Sequence, residues 1–213
     1  MSHHYSLIDK FIINFDYAVN TLAGNNPVTE RPNPAVDINE NELTQTEKKL
    51  SAALMRINHA GEVSAQGLYQ GQALTAKLPD IKKQMEHAAI EENDHLEWCK
   101  NRCHELDSQT STLSPFWYMG SFMLGAIAGK MGDKWSLGFV AETEHQVVKH
   151  LDEHLKHIPD QDHKSREILK QMREDELNHA KLAESSGAVK LPLPIKAAMS
   201  LTSKIMTKTT FYV

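Results

Sequence analysis

Downstream of Thr44, apolar residues recur three, four and seven positions apart almost to the end of the chain. That is the spacing of side chains sharing one face of an α-helix. Around Glu144 the shared face reads Leu137, Val140, Ala141, Glu144, Val147, Val148, Leu151, Leu155 and Ile158, an apolar stripe with one carboxylate set into it. Three more stripes have the same character: Ile81, Met85, Ala88, Glu92, His95, Cys99, Cys103; then Leu169, Met172, Glu176, His179, Ala183; and Met55, His59, Glu62, Ala65, Tyr69, Ala73. The last is the most polar, and its small residues leave room beside a site. Nothing in this stretch alternates with the period of a strand.

Breakers and caps divide the pattern into elements. Tyr5 to Ala23 reads as an amphipathic helix with Leu7, Phe11, Phe15 and Leu22 among its apolar positions, and Gly24 to Asn41 is a linker carrying Pro27, Pro32 and Pro34. Thr44-Gln45-Thr46-Glu47 has capping-box spacing, so a long helix is predicted from there to about Lys77, stopping before Pro79-Asp80. Further helices are predicted over Asp80–Leu106, over Asp133–Ile158 before Pro159, and from near Asp160 to a C-cap at Gly187. Pro192 to Phe211 places apolar residues and lysines at helical spacing. The expected architecture is all-α: a helix and linker over 1–43, a four-helix bundle over 44–187, and an amphipathic segment over 188–213.

The connection between bundle helices two and three stands out. Ser108 to Gly129 contains no charged residue and includes Phe116, Trp117, Tyr118, Met119, Phe122, Met123, Leu124 and Ile127. At roughly 20 residues it is near the length that spans a bilayer, but three glycines, a proline and several serines argue against a clean span. Two readings stay open: contact of Phe116, Trp117, Tyr118, Phe122 and Met123 with a membrane surface or a substrate, and ordinary packing of a long crossover.

Composition narrows the function. The 213 residues suffice for one domain with a sizeable core, and a net charge of −5 gives nucleic-acid binding no electrostatic support. Twelve histidines and 28 acidic residues are a rich supply of metal ligands, although His3-His4 belongs to the chain start and is not counted as a site. Cys99 and Cys103, four apart on one helix, read as buried thiols of a reducing compartment, and two cysteines cannot supply a four-thiolate iron centre. The N-terminus lacks the pattern of a signal or transit peptide. A cytosolic protein that touches a membrane is expected.

Within the stripes one motif occurs twice. Glu62 precedes Glu92-Asn93-Asp94-His95 by 30 residues, and Glu144 precedes Glu176-Leu177-Asn178-His179 by 32. In Glu-x-x-His the two side chains lie about 60° apart, one turn along the axis, and can serve one metal from one helix. Single copies are weak signals, and decoys such as Glu142-Thr143-Glu144-His145 and Glu91 to Asp94 are present. Glu142, about 200° from the stripe, is expected to face outward with His145 and Lys149. A lone buried carboxylate is costly unless paired or metal-bound. Four carboxylates and two imidazoles from four helices form the ligand set of a dinuclear carboxylate site, against the alternative of buried polar networks without metal. The residue before each motif glutamate is acidic. A crossed arrangement is predicted, with Asp175 on the outer nitrogen of His95 and Glu91 on that of His179, against two solvated surface acids. His59, one turn before Glu62, is a candidate for the layer behind the ligands or the pocket, and equally for a structural histidine.

The segment Met55-Arg56-Ile57-Asn58-His59-Ala60-Gly61-Glu62, continuing to Tyr69-Gln70-Gly71-Gln72, resembles the demethoxyubiquinone hydroxylase family of ubiquinone biosynthesis. Glu92, His95, Glu144, Glu176 and His179 fall where that family has its other ligands, and the ferritin-like likeness covers about Thr44 to Gly187. The resemblance implies a ferritin-like bundle holding two iron ions, bridged by Glu92 and Glu176, and an O2-dependent monooxygenase. The ring of 2-polyprenyl-3-methyl-6-methoxy-1,4-benzoquinol would be its substrate. It implies a peripheral position on the cytoplasmic face of the cell membrane, and leaves room for a homo-oligomer or a ubiquinone-biosynthesis complex. The reductant is external and not identified, since no nucleotide-binding glycine fingerprint is present. The alternatives are a bacterioferritin-like iron-storage or peroxide-handling protein and a lipid-binding scaffold with a vestigial site.

Overall fold

The computed structural model describes residues 6–25, 27–29, 31–39 and 41–213, with the side chains of 7, 10, 11, 80–82, 84 and 86 excepted. The predicted helix start at Tyr5, the His3-His4 pair and the side chains of Leu7, Phe11 and Ile81 lie outside the described residues.

Seven helices form among the described residues: α1 (Leu7–Ala23), α2 (Gln45–Thr75), α3 (Pro79–Glu105), α4 (Ser114–Met131), α5 (Asp133–His157), α6 (His163–Ser185) and α7 (Leu193–Thr210). The capping box of α2 is in place: Glu47 N donates to Thr44 Oγ1 at 3.3 Å, and Thr44 N donates to Glu47 Oε2 at 2.8 Å. A second box, Ser6 with Asp9, starts α1. Pro79 opens α3, where a missing N–H costs nothing. Helix α6 begins slightly later than predicted because Asp162 is its cap, accepting from Ser165 N at 2.9 Å. Buried Arg102 ties α3 to that cap at 2.8 Å.

Helices α2, α3, α5 and α6 make the bundle. Two hydrophobic clusters fill it. One contains Met55, Trp98, Cys99, Cys103, Leu151, Leu169 and Met172; the other contains Ala65, Tyr69, Met85, Leu137, Val140 and Ala183. Along every bundle helix the motif residues fall between the two clusters. A fully buried leucine-sized side chain contributes about 2 kcal/mol, so the polar layer is held in place by the apolar layers on either side. Cys99 and Cys103 are free buried thiols.

The uncharged crossover becomes α4, which lies directly on α2. A Cβ added at Gly67 or Gly71 of α2, or at Gly125 of α4, would come under 3.0 Å from the backbone of the other helix. Of the crossover glycines that weakened the case for a membrane span, Gly125 permits this close approach, together with Gly67 and Gly71 of α2. Among the described residues no helix is long and apolar enough to cross a membrane. Phe116, Met119, Met123 and Ile127 form an outer face of α4 that stays exposed. Helix α7 docks back on the bundle: Arg56 Nη1 donates to Phe211 O at 3.0 Å, and His150 Nε2 lies 2.9 Å from Ser203 Oγ. Glu142, expected to face solvent, instead forms an ion pair with Lys196 of α7 at 2.5 Å and is largely covered. The accessory helix α7 creates an interior that helical periodicity within α5 alone does not reveal.

Candidate metal centre and adjoining cavity

Glu62 comes from α2 and Glu144 from α5 as single carboxylates, while α3 and α6 each supply a Glu-x-x-His pair. All six residues are buried. His95 Nδ1 lies 2.9 Å from Glu92 Oε2, 3.0 Å from Glu176 Oε1 and 3.8 Å from Glu62 Oε2. His179 Nδ1 lies 3.2 Å from Glu92 Oε1 and 3.3 Å from Glu176 Oε2. Glu92 and Glu176 thus each extend one oxygen toward each imidazole. Glu62, Glu92, His95 and Glu176 bring donor atoms within 4.8 Å of one another. Glu144 completes the ring of carboxylates on the α5 side, where one of its oxygens accepts from Tyr69 Oη.

Electrostatics show what the packing imposes. Burial, reinforced by Glu92, pushes Glu62 well above the ordinary carboxylate range, and burial with Glu176 and Glu92 does the same to Glu144. Burial also opposes charge on Glu92, but the adjacent His179 and His95 rings outweigh it and hold that carboxyl low. Burial likewise opposes charge on His95, and contacts with Asp175, Glu176, Glu62 and Glu92 raise it well above the imidazole range. Glu144 Oε2 is buried with no hydrogen-bond partner, and Glu92 Oε1 and Glu176 Oε1 approach imidazoles without hydrogen-bond alignment. Hard oxygen donors, two inward Nδ1 atoms and unsatisfied carboxylate oxygens fit a di-iron site.

The outer nitrogens are also engaged. His95 Nε2 lies 3.0 Å from Asp175 Oδ2, and His179 Nε2 lies 2.8 Å from Glu91 Oε2. Each acid comes from the opposite Glu-x-x-His helix, so the two histidines are oriented across the α3–α6 interface.

On the α2–α5 side a cavity of about 460 Å³ adjoins the cluster. Its wall includes Glu62, Ala65, Leu68, Trp117, Leu124 and Phe139, and α7 closes it with residues such as Ile195, Met199 and Met206. The exposed lining surface is predominantly apolar, although Asn58, Glu62, Gln146, His150, His154 and several serines and threonines also contribute to it. One carboxylate of the cluster therefore also belongs to the wall of an apolar chamber.

Residues 49–210 match the family model described as ubiquinone biosynthesis protein COQ7. The chain belongs to that family. A 3-demethoxyubiquinol 3-hydroxylase from Nitrosococcus oceani is 58% identical over 98% of this chain and 97% of its own length. Enzymes of the same name from Acinetobacter baylyi and Pseudomonas putida are 52% and 53% identical, each covering at least 97% of both partners. Among solved structures, a dodecameric thioferritin, the bacterioferritin-related protein of Bacteroides fragilis, is similar with a TM-score of 0.52. It covers 75% of this chain and 92% of its own at 19% identity, a likeness that speaks for the ferritin-like fold.

Within this COQ7-family chain the other sequence-derived candidates separate. Trp117 lines the cavity, while Phe116 and Met123 sit on the exposed face of α4. Tyr118 is buried against α2, its hydroxyl donates to Gln70, and it stacks with half-buried Phe122, so Tyr118 is not part of the expected contact surface. His59 is buried at a small void with Thr21, Gly24, Asn93 and Leu96, and its Nδ1 has no hydrogen-bond partner. It faces the α1 and linker side, away from the cavity. Sequence reasoning missed three groups. Tyr69 carried a signal, two turns from Glu62 on the same face. The α7 lining had none, because a surface amphipathic helix and a cavity lid share one pattern. Arg31 of the linker also had none, and its contacts with Asp94 and Asp175 at 3.0 and 2.9 Å arise only in the fold.

Proposed function

We propose that this chain is an O2-dependent monooxygenase that hydroxylates the ring of 2-polyprenyl-3-methyl-6-methoxy-1,4-benzoquinol, with two iron ions as cofactor and an external reductant. The observation that carries the reading is Glu62, shared by the donor cluster and the cavity wall. The names of the relatives, 3-demethoxyubiquinol 3-hydroxylase, supply the substrate class. The reaction balances as quinol plus O2, two electrons and two protons giving hydroxyquinol plus water.

Glu62, Glu92 and His95 would serve mainly one iron and Glu144, Glu176 and His179 mainly the other, with Glu92 and Glu176 bridging. Bound there, the irons would supply the redox chemistry and open positions for O2 activation, with the two electrons drawn from the external reductant. The chain supplies the rest. Asp175 and Glu91 fix the imidazoles so that Nδ1 points inward. Tyr69 orients Glu144. Burial raises Glu62 and Glu144 above the ordinary carboxylate range, and bound cations would offset the cost of their charge. The apolar walls keep water from the reacting ring and orient it by shape.

We also propose a peripheral position on the cytoplasmic face of the membrane. A polyprenyl quinol resides in the bilayer, and the exposed apolar face of α4 adjoins cavity residues Trp117 and Leu124. Vesicle flotation tests this: Phe116→Ser with Met123→Ser should lose vesicle binding, and unchanged flotation would reject it.

The deciding experiment is product analysis. The chain is loaded anaerobically with Fe(II), then given reductant, ¹⁸O2 and a short-chain demethoxyubiquinol. A ring-hydroxylated product carrying one ¹⁸O atom is expected. Unlabelled product, no product across several reductants, or an iron-filled hollow shell in place of turnover would overturn the hydroxylase reading and favour storage.

A further inference from the structure

Linker residues Pro27, Thr29 and Arg31 grip the helix that carries the first Glu-x-x-His. Asn93 Nδ2 donates to Pro27 O at 2.9 Å; Thr29 donates to Asp94 through N at 2.7 Å and Oγ1 at 2.6 Å. Arg31 then reaches across to the second such helix. Its Nε donates to Asp94 Oδ2 at 3.0 Å and its Nη1 to Asp175 Oδ2 at 2.9 Å. Asp94 adjoins His95, and Asp175 adjoins Glu176. The same Asp175 Oδ2 lies 3.0 Å from His95 Nε2, so one oxygen is shared by the guanidinium and the imidazole. The guanidinium also sits over the Trp98 ring at 5.1 Å, and that ring lies 5.4 Å from His95.

The matching position on the other histidine is built differently. Among the described residues, the ion-pair partners of Glu91 are His179 and His87, the latter 3.4 Å away and 75% exposed. A weakly held, exposed histidine stands where the first half has a fixed guanidinium braced on two acids.

We propose that Arg31 is a positioning residue of the metal centre, a brace from the linker that locks Asp175 onto His95 and makes the two metal positions unequal. This rests on the di-iron reading above. The physical cause is twofold. The planar fork spans two carboxylates on two helices, which a point charge cannot do. Its charge also anchors the Asp175 oxygen that His95 uses, so the carboxylate stays against Nε2 and the ring keeps Nδ1 turned toward the cluster. The linker lies outside residues 49–210, so the brace is an addition to the part of the chain that the family model describes.

The test is anaerobic Fe(II) titration with ⁵⁷Fe Mössbauer spectroscopy on the wild-type chain, Arg31→Met and Arg31→Lys. The wild type should bind two irons with two distinct doublets. Arg31→Met should weaken one of the two binding steps about tenfold, the low end for loss of a partner behind a ligand, and shift one doublet only. Arg31→Lys should recover thermal stability without recovering the wild-type doublet. A wild type that binds no iron overturns the metal reading and this proposal together. A wild-type iron pair left unchanged in Arg31→Met overturns this proposal alone, whatever the melting temperature does. Should Arg31→Met fail to fold, the Arg31→Lys spectrum decides: two unshifted doublets reject the brace.

Discussion

The α3–α6 wall and the α2–α5 wall of the cluster both present buried carboxylates, yet they are backed in opposite ways. Behind α3 and α6 stands a polar layer: Asp175 and Glu91 on the histidines, Asp94 under Thr29 and Arg31. Behind α2 and α5 lies the apolar cavity, with Glu62 in its wall and Tyr69 as the hydroxyl partner of Glu144. The difference shows in the titrating groups. On the polar-backed wall His95 and His179 are raised and Glu92 is held low; on the cavity wall Glu62 and Glu144 are pushed up by burial. One wall is organised to hold ligands still. The other gives up that support so that an apolar substrate can reach the centre. Precision on one side and access on the other cannot be built from the same environment.

The largest effect that would sharpen this comparison comes from the bridging pair. Glu92→Ala should abolish iron binding, seen as loss of both irons by metal analysis, and lower product formation at least a hundredfold, since its oxygens face both histidines. Retention of both irons would break the picture of a shared ligand. Next, Asp175→Asn should cost ten- to a hundredfold in iron affinity with little change in KM, as the polar-backed wall tunes metal and not substrate. A selective rise in KM would reverse the assignment of the walls.

On the cavity side, Ala198→Phe intrudes into the chamber from the exposed helix α7. Steady-state kinetics should show KM for the quinol rising about tenfold, roughly 1.4 kcal/mol, with two irons retained. Lost iron would mean that α7 supports the centre itself. The smallest effect concerns pH. Burial pushes His154 of the cavity wall, and His59 on the α1-facing side of α2, down to about 4. The unfolded chain binds these protons near pH 6.5 and the folded chain only near 4. Stability is therefore complete above pH 6.5 and lost as pH falls toward 4, by about 1.4 kcal/mol per pH unit for each histidine. Denaturation of His154→Gln between pH 4 and 7 should show a shallower slope, and an unchanged slope would mean that His154 is not held neutral.

Much of this was legible along the chain. The four bundle helices could be read because the apolar stripes at Leu137–Ile158 and Leu169–Ala183 are long and interrupted only by the motif residues. The capping box at Thr44 and the stop before Pro79 marked boundaries because backbone donors at helix ends must be satisfied locally. Glu144 was separable from Glu142 by angle alone. The partial exposure of the crossover was not legible. Phe116 and Tyr118 look equivalent in composition, but the glycine-lined contact with α2 buries one and leaves the other 69% exposed. Glu142 was misread for a related reason: periodicity within α5 cannot register that α7 later covers that side.

The sequence by itself determined the helical period, the caps and the repeated Glu-x-x-His, because each depends on residues within a few turns of one another. Tertiary structure alone decided that Glu62 joins cluster to cavity, that α7 forms the lid, and that Arg31 reaches Asp175 from 144 positions away. Those contacts unite segments far apart in the chain, and no local spacing encodes which surfaces will meet once the apolar layers have packed.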